Sequence, residues 1–274
     1  MLKHRTGISS RNLKMPDRCR AISPTIHFRW VVLLSSLLLA TSVLADEQTQ
    51  QWMREAQLAS EKGDHVAALA LLDKVVAAEP SSAPVYYVRG RERFRAGNVE
   101  GSVADFDKLV ELDPKAEPRQ WERGIALYYV GKFERGAQQF VLYQTFHDQD
   151  VENSVWRWLC QARAEDRDKA TAAMLPIAAD RRVPMMEIYD LYRGKGSIEK
   201  VLAAVEAGAK EGPGATWSRF YANLYIGLYL EATGDEAAAK PYILAAADKF
   251  KVNHYMWDVA AIHAKRFREK EKKE

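Results

Sequence analysis

Cysteine is scarce in this chain: of 274 residues, only Cys19 and Cys160 carry a thiol. Cys19 falls in a basic leader, so Cys160 stands alone in the rest, no internal disulfide can form, and stability has to come from packing. No strand-like alternation of apolar and polar residues appears, which removes sheet architectures. Long apolar runs are also missing, since the longest, Trp30 to Ala45, is sixteen residues where a membrane span needs about 20. There is no phosphate loop, no H-E-x-x-H and no G-x-S-x-G elbow. Gly194-Lys195-Gly196-Ser197 faintly resembles a phosphate cradle, but no strand precedes it, and it reads as a helix stop followed by a cap. His254 and His263 are nine residues apart on one helix and face different ways, and Cys160 has no histidine beside it. No cofactor, metal or catalytic group is therefore expected. The formal charge of +3 belongs to residues 1–45, which hold seven basic residues against Asp17 alone. Removing them leaves 33 basic and 36 acidic residues, a net charge of −3, and no bulk argument for nucleic-acid binding.

What the chain does have is a step of 34 residues. Gly63, Gly97 and Gly131 keep it where one helix must turn into the next, and Pro80 and Pro114 keep it where the second helix of a pair must end. Trp52 and Tyr86 share an aromatic position early in the first helix, and Gly90 and Gly124 share a position of close helix approach. A small residue recurs as Ala68, Ser102 and Gly136, with a large apolar partner at Leu72, Phe106 and Phe140. This phase is that of the tetratricopeptide (TPR) repeat, a helix–turn–helix unit of about 34 residues. The fold expected is all-α, a TPR-type helical-hairpin solenoid.

The basic leader and the run WVVLLSSLLLATSVLA, ending in Val43-Leu44-Ala45 before Asp46, read as an export signal over 1–45. Met15 is an alternative start, and an uncleaved signal would be the one membrane contact. The chain is then expected to be periplasmic or secreted and soluble after cleavage near Ala45. Three TPR units fill 46–148, with Val66, Leu69, Leu72, Val75 and Val76 as the inner face of the first unit's second helix. A helical insertion covers 149–214, with Val155, Leu159 and Ala162 as one stripe and Met185, Ile188, Tyr189 and Tyr192 as another. Pro184 should open a helix, Ser197 should cap the next, and Glu211 to Gly214 should be a loop. A degenerate fourth unit and a capping helix fill 215–264. In it Gly227 and Gly234 repeat the earlier glycine offset, Ala239 and Ile243 take the small and large positions, and Pro241 should delay or bend the second helix. The capping helix carries Met256, Val259, His263 and Phe267 on one face, followed by a charged tail over 265–274.

In stacked TPR hairpins the first helix of each pair lines the concave face. That placement offers Tyr87, Arg91, Phe94, Arg95, Trp121, Ile125 and Tyr128 as a partner-binding patch, aromatic with arginine as binding hot spots are. The reading this favours is a non-catalytic adaptor for a protein or peptide. Two alternatives stand beside it. One is a structural homodimer meeting through His263 and Met256. The other is an enzyme sited in the insertion around Asp180-Arg181-Arg182 and Glu187.

Beyond the repeat consensus, RGIALYYVGKFERGAQQFVLY (123–143), DQDVENSVWRWLCQAR (148–163) and the stretch from Phe220 to Asp258 resemble the NlpI-type TPR proteins of the bacterial periplasm. The resemblance covers most of 50–260 in order. It implies a homodimeric, all-helical adaptor that scaffolds cell-wall enzymes and presents a hydrolase to a processing protease. That family is lipid-anchored through a cysteine at the cleavage site; here Asp46 follows Ala45 with no cysteine near, so a soluble exported form is expected.

Overall fold

The computed structural model describes residues 46–208 and 210–272, and every regular element among them is a helix. Residues 1–45, with the expected export signal, lie outside the described residues. The helices are α1 (46–61), α2 (His65–Ala78), α3 (Ala83–Arg95), α4 (Val99–Leu112), α5 (Trp121–Tyr129), α6 (Phe133–Gln144) and α7 (Val151–Ala164). They continue as α8 (Arg167–Ala172), α9 (Met185–Tyr192), α10 (Ile198–Ala207), α11 (Gly212–Ala232), α12 (Glu236–Asp248) and α13 (Tyr255–Glu271). A 3-10 turn, Pro114–Arg119, joins α4 to α5.

Four hairpins, α1–α2, α3–α4, α5–α6 and α11–α12, are closed by one device. Gly63, Gly97, Gly131 and Gly234 sit at φ of 78°, 83°, 75° and 96°, the left-handed region that only glycine enters without strain. The next residue's N–H turns back to a carbonyl five residues earlier, as in Asp64 to Ala59, Asn98 to Arg93, Lys132 to Leu127 and Asp235 to Leu230, at 2.8–2.9 Å. That same residue then opens the second helix. Asp64, Asn98 and Asp235 each accept an N–H from three residues on, whereas Lys132 has no oxygen to offer.

Inside three of these hairpins a second glycine lets the helices meet. A Cβ built on Gly124 would lie 2.7 Å from Phe140, one on Gly227 2.7 Å from Ile243, and one on Gly90 3.1 Å from Phe106. The close-approach glycines and the large apolar positions read from the 34-residue step are thus the contact itself. Between hairpins the step recurs in polar form. Arg89 on α3 reaches Asp73 on α2 (2.8 Å) and Asp105 on α4 (2.7 Å). Arg123 on α5 makes the equivalent reach to Asp107 on α4 (2.8 Å) and Gln139 on α6 (2.7 Å).

Some expectations are corrected. On α2 the buried face is Ala68, Leu72 and Val75, while Leu69 and Val76 are half-buried and Val66 is 81 % exposed. Two helical phases on α2 are apolar, and only the one carrying Ala68, Leu72 and Val75 is fully covered. α7 is not a striped surface helix: Val151 to Cys160 are buried except Arg157, so Val155 and Leu159 share the core with Trp156 and Trp158, and Ala162 is only half-buried. α7 packs against α5, α6, α8, α9 and α11, which makes it the hub of the second half. α11 begins inside the expected loop, with Gly212-Pro213-Gly214 forming its first turn, where a missing N–H costs nothing. Pro241 lies inside α12, which still starts directly after its cap Asp235. Pro184 stands one place before α9, at its N-cap. The α9 stripe (Met185, Ile188, Tyr189, Tyr192) is buried as expected, and Ser197 caps α10 by accepting from Lys200.

α13 packs on α12 and then returns to α3, far away in sequence. Trp257 Nε1 donates to the Ala247 carbonyl at 3.0 Å and ties it to α12. Its stripe of Met256, Val259, His263 and Phe267 is buried.

Candidate binding cleft

The face formed by α3 and α5 is where the partner patch was expected, and α13 lies across part of it. Phe94 packs its ring on Tyr255 at 5.3 Å and on Tyr129 at 5.6 Å, and it is fully buried. Arg95 Nε donates to Asp258 at 2.8 Å and its Nη1 to Glu92 at 3.4 Å. Ile125 is fully buried, and Tyr128 turns into the core against Tyr129, Phe133 and Trp156. Phe94, Ile125 and Tyr128 therefore stand in the core rather than on open surface, Phe94 beneath Tyr255 of α13 and Tyr128 against Phe133 of α6 and Trp156 of α7.

Tyr87, Arg91 and Trp121 do come together beside the start of α13. Tyr87 Oη donates to Glu122 at 2.6 Å, and the Arg91 guanidinium lies over the rings of Tyr87 (5.5 Å) and Tyr255 (5.1 Å). Burial pushes the Glu122 carboxyl above its ordinary range, and the Tyr87 and Arg91 contacts only partly offset it. Trp121 stacks on His254 with rings 6.0 Å apart and 5° from parallel, and Trp217 meets the other side of that imidazole at 5.6 Å. Burial, then the charges of Arg91 and Arg182, hold His254 below the usual histidine range.

Opposite this aromatic rim, Arg182 gathers three carboxylates, reaching Glu152 at 2.5 Å, Asp150 at 2.6 Å and Asp180 at 2.5 Å. Glu152 also accepts from Tyr225 Oη at 2.5 Å. Burial raises the Glu152 carboxyl to about 7 even with Arg182 beside it. The insertion thus contributes Asp180 and Arg182 to this cluster, while Glu187 is not among the residues lining the cleft. Sequence reasoning missed Asp150, Glu152, Trp217 and His254 as neighbours. No periodicity links them, and the only signal was an acidic stretch ahead of a tryptophan helix. Between rim and cluster lies a cavity of about 150 Å³, lined by Trp121, Tyr143, Asn153, Trp156, Arg182 and His254 among others.

A larger cavity, about 460 Å³, opens by the turns after α5 and α11. Its centre is a closed relay rather than a site. His263 Nε2 lies 2.8 Å from Glu231, and its Nδ1 lies 2.8 Å from Tyr129 Oη. Burial pushes Glu231 up, but the hydrogen bond and charge of His263, with Arg163 and Arg266, bring it below the ordinary carboxylate range. His263 and Met256, 2 % and 1 % exposed, are inside the molecule and cannot form a dimer contact, because α13 is folded against its own chain. Burial also raises the Cys160 thiol far above the range in which it could attack anything at neutral pH. Among the described residues no three His, Cys, Asp or Glu side chains form a metal-binding group. No described helix is long and apolar enough to cross a membrane.

No protein-family model and no curated protein matches the chain. Solved TPR structures do align with it. MamA from Desulfovibrio magneticus RS-1, residue 41 to its end, is 13% identical over 73% of this chain and 93% of its own, with a TM-score of 0.46. The C-terminal part of a TPR repeat-containing protein from Cytophaga hutchinsonii is 18% identical over 77% of this chain and 73% of its own, TM-score 0.39. A tetratricopeptide repeat protein from Parabacteroides merdae ATCC 43184 is 11% identical over 78% and 97%, TM-score 0.40.

Proposed function

We propose that this chain is a non-catalytic TPR scaffold that holds a protein or peptide segment in the cleft between α5, α6, α7 and the start of α13, with Tyr87 and Arg91 of α3 beside it. The observation carrying this reading is the grouping of Tyr87, Arg91, Trp121, His254 and Trp217 beside a face that already accepts a helix, the chain's own α13. Aromatic rings and arginine in a half-desolvated setting are what protein interfaces use as anchors. The carboxylates in the cleft are held by Arg182 and Tyr225 rather than poised over open space, which suits recognition better than acid–base work.

The resemblance of 123–143 and its flanks to NlpI-type proteins supports a finer reading: an exported, homodimeric envelope adaptor without a lipid anchor. Export has its own test, because the protein recovered from the periplasm should begin at Asp46. An intact leader on the functional protein would refute cleavage.

The scaffold reading is tested by crosslinking and pull-down from envelope extract, with residues 46–274 as bait and Trp121→Ala/His254→Ala alongside. Partners lost from a variant with an unchanged helical spectrum place binding at the cleft. Partners retained by it sink this site. A photo-crosslinking residue at position 121 gives the same answer if the double variant folds poorly.

A further inference from the structure

Asn153 and Trp156 lie one turn apart on α7 and both line the cleft. They are 3 % and 1 % exposed, and each carries a polar atom that no described group pairs: Asn153 Oδ1 and Trp156 Nε1. The direction of the Asn153 amide follows from its neighbours. Gln144 Nε2 donates to the carbonyls of Asp148 (2.9 Å) and Pro176 (3.4 Å), which leaves Gln144 Oε1 as an acceptor. Asn153 Nδ2 donates to that oxygen at 2.8 Å, so its unpaired atom is the acceptor Oδ1. Trp156 Nε1 can only donate. The wall of the cleft therefore holds one buried acceptor and one buried donor without a described partner, and each is costly to leave alone.

We infer that this cleft is an amide subsite that takes the carboxamide of an Asn or Gln side chain from the bound segment, Trp156 Nε1 donating to its oxygen and Asn153 Oδ1 accepting from its nitrogen. The assignment rests on the scaffold reading above and names the chemistry its ligand must carry. A carboxylate has no proton for Asn153, and an ammonium or guanidinium group has no acceptor for Trp156. A sugar hydroxyl could serve both atoms, but sugars seat on an open aromatic face, and here His254 stacks on Trp121. A cavity of about 150 Å³ has room for one short side chain rather than for a length of chain.

The test is titration of acetamide, then N-acetylglutamine methylamide, into residues 46–274, followed by NMR at the Trp156 indole N–H and the Asn153 side-chain NH₂. Both amides should shift the two signals saturably, the glutamine derivative more tightly, while acetate and guanidinium leave them unmoved. In Trp156→Phe, affinity read at Asn153 should fall about tenfold, the cost of one lost hydrogen bond. If acetamide moves neither signal, if acetate moves them equally, or if an N-acetylglucosamine oligomer binds more tightly than the glutamine derivative, the assignment is wrong. Partner capture with no amide response would defeat the subsite alone. An amide response with no partner captured would defeat the scaffold reading and leave the subsite standing.

Discussion

Hairpins α3–α4 and α5–α6 share their inner joint with hairpin α11–α12 but not their outer face. In all three, a glycine on the first helix meets a large side chain sixteen residues later: Gly90 with Phe106, Gly124 with Phe140, Gly227 with Ile243. The residue just before that glycine differs. It is Arg89 or Arg123 in the early hairpins, reaching back to an aspartate of the preceding hairpin, and it is the fully buried Ile226 in the late one. The joint is an internal requirement of any such hairpin, while the outer face reports what lies beside it. Early hairpins meet one another along a partly wet seam, where a largely buried arginine is paired with an aspartate that stays in contact with water. The late hairpin meets α7 and α9 in a buried core, where Ile226 is closed off from water and polar groups such as Tyr225 and Glu152 are paired with one another.

Exchanging those residues breaks the comparison most severely in the late hairpin. Ile226→Arg would bury a guanidinium with no carboxylate placed for it, and we expect loss of the cooperative fold, at least about 4 kcal/mol, by urea denaturation. A soluble variant with near-native stability would show that the second half is less dry than its burial indicates. The reciprocal change, Arg89→Ile, should cost less. It strips Asp105, whose side chain is 3 % exposed, of its two-pronged partner, but Arg93 remains 3.0 Å away. About 2–3 kcal/mol is expected, below the range for a wholly abandoned buried charge. A double change with Asp105→Asn should recover part of it, and no recovery would mean the cost lies in packing.

Acid–base behaviour sharpens the same contrast, because the hub helix buries a carboxyl against its preference. Glu152 titrates at about 7 in the folded chain and near its ordinary value of about 4.3 when unfolded. A folded-state value raised in this way means that the native state holds the proton more tightly. Stability should thus fall as pH rises from about 4.3 to about 7 and then level off, by on the order of 3–4 kcal/mol. Glu152→Gln keeps a group for Tyr225 to donate to and should flatten that slope in thermal melts between pH 5 and 8. An unchanged slope would assign it to another group.

The parts of this fold legible in the sequence are those a hairpin needs locally. Gly63, Gly97 and Gly131 had to be glycine for their backbone, and Gly90 and Gly124 for the neighbouring ring, so all stood in register at the 34-residue step. The arginine seam was written at that step as well, in Asp73/Asp107 and Arg89/Arg123, and can be read once a repeat is examined for charge as well as apolar residues. The return of α13 onto α3 leaves no such trace. Phe94 with Tyr255, and Arg95 with Asp258, are contacts across some 160 residues, and the only hint was an apolar stripe that any capping helix would carry. Of the residues expected on a concave patch, Phe94, Ile125 and Tyr128 are already used inside the molecule. Tyr87, Arg91 and Trp121 gather around His254 and Tyr255, where α13 begins, and nothing periodic could mark where it begins.

The finest test separates the two duties of glycine within one hairpin. Gly124→Ala places a methyl 2.7–3.0 Å from the buried Phe140 ring, with the left-handed backbone not at issue. Gly131→Ala meets nothing within 4 Å but holds alanine at φ 75°. Overpacking of a rigid ring costs about 1–3 kcal/mol, and an alanine in the left-handed region about 1 kcal/mol. Gly124→Ala should be the worse by roughly 1 kcal/mol in urea midpoints. Gly227→Ala should resemble Gly124→Ala, since Ile243 also lies 2.7 Å from the added methyl and the Ala239 carbonyl closes the other side at 3.2 Å. If Gly227→Ala proved as mild as Gly131→Ala, the late hairpin would be yielding where the early one is rigid. The shared joint would then be a likeness of sequence that the two halves do not enforce equally.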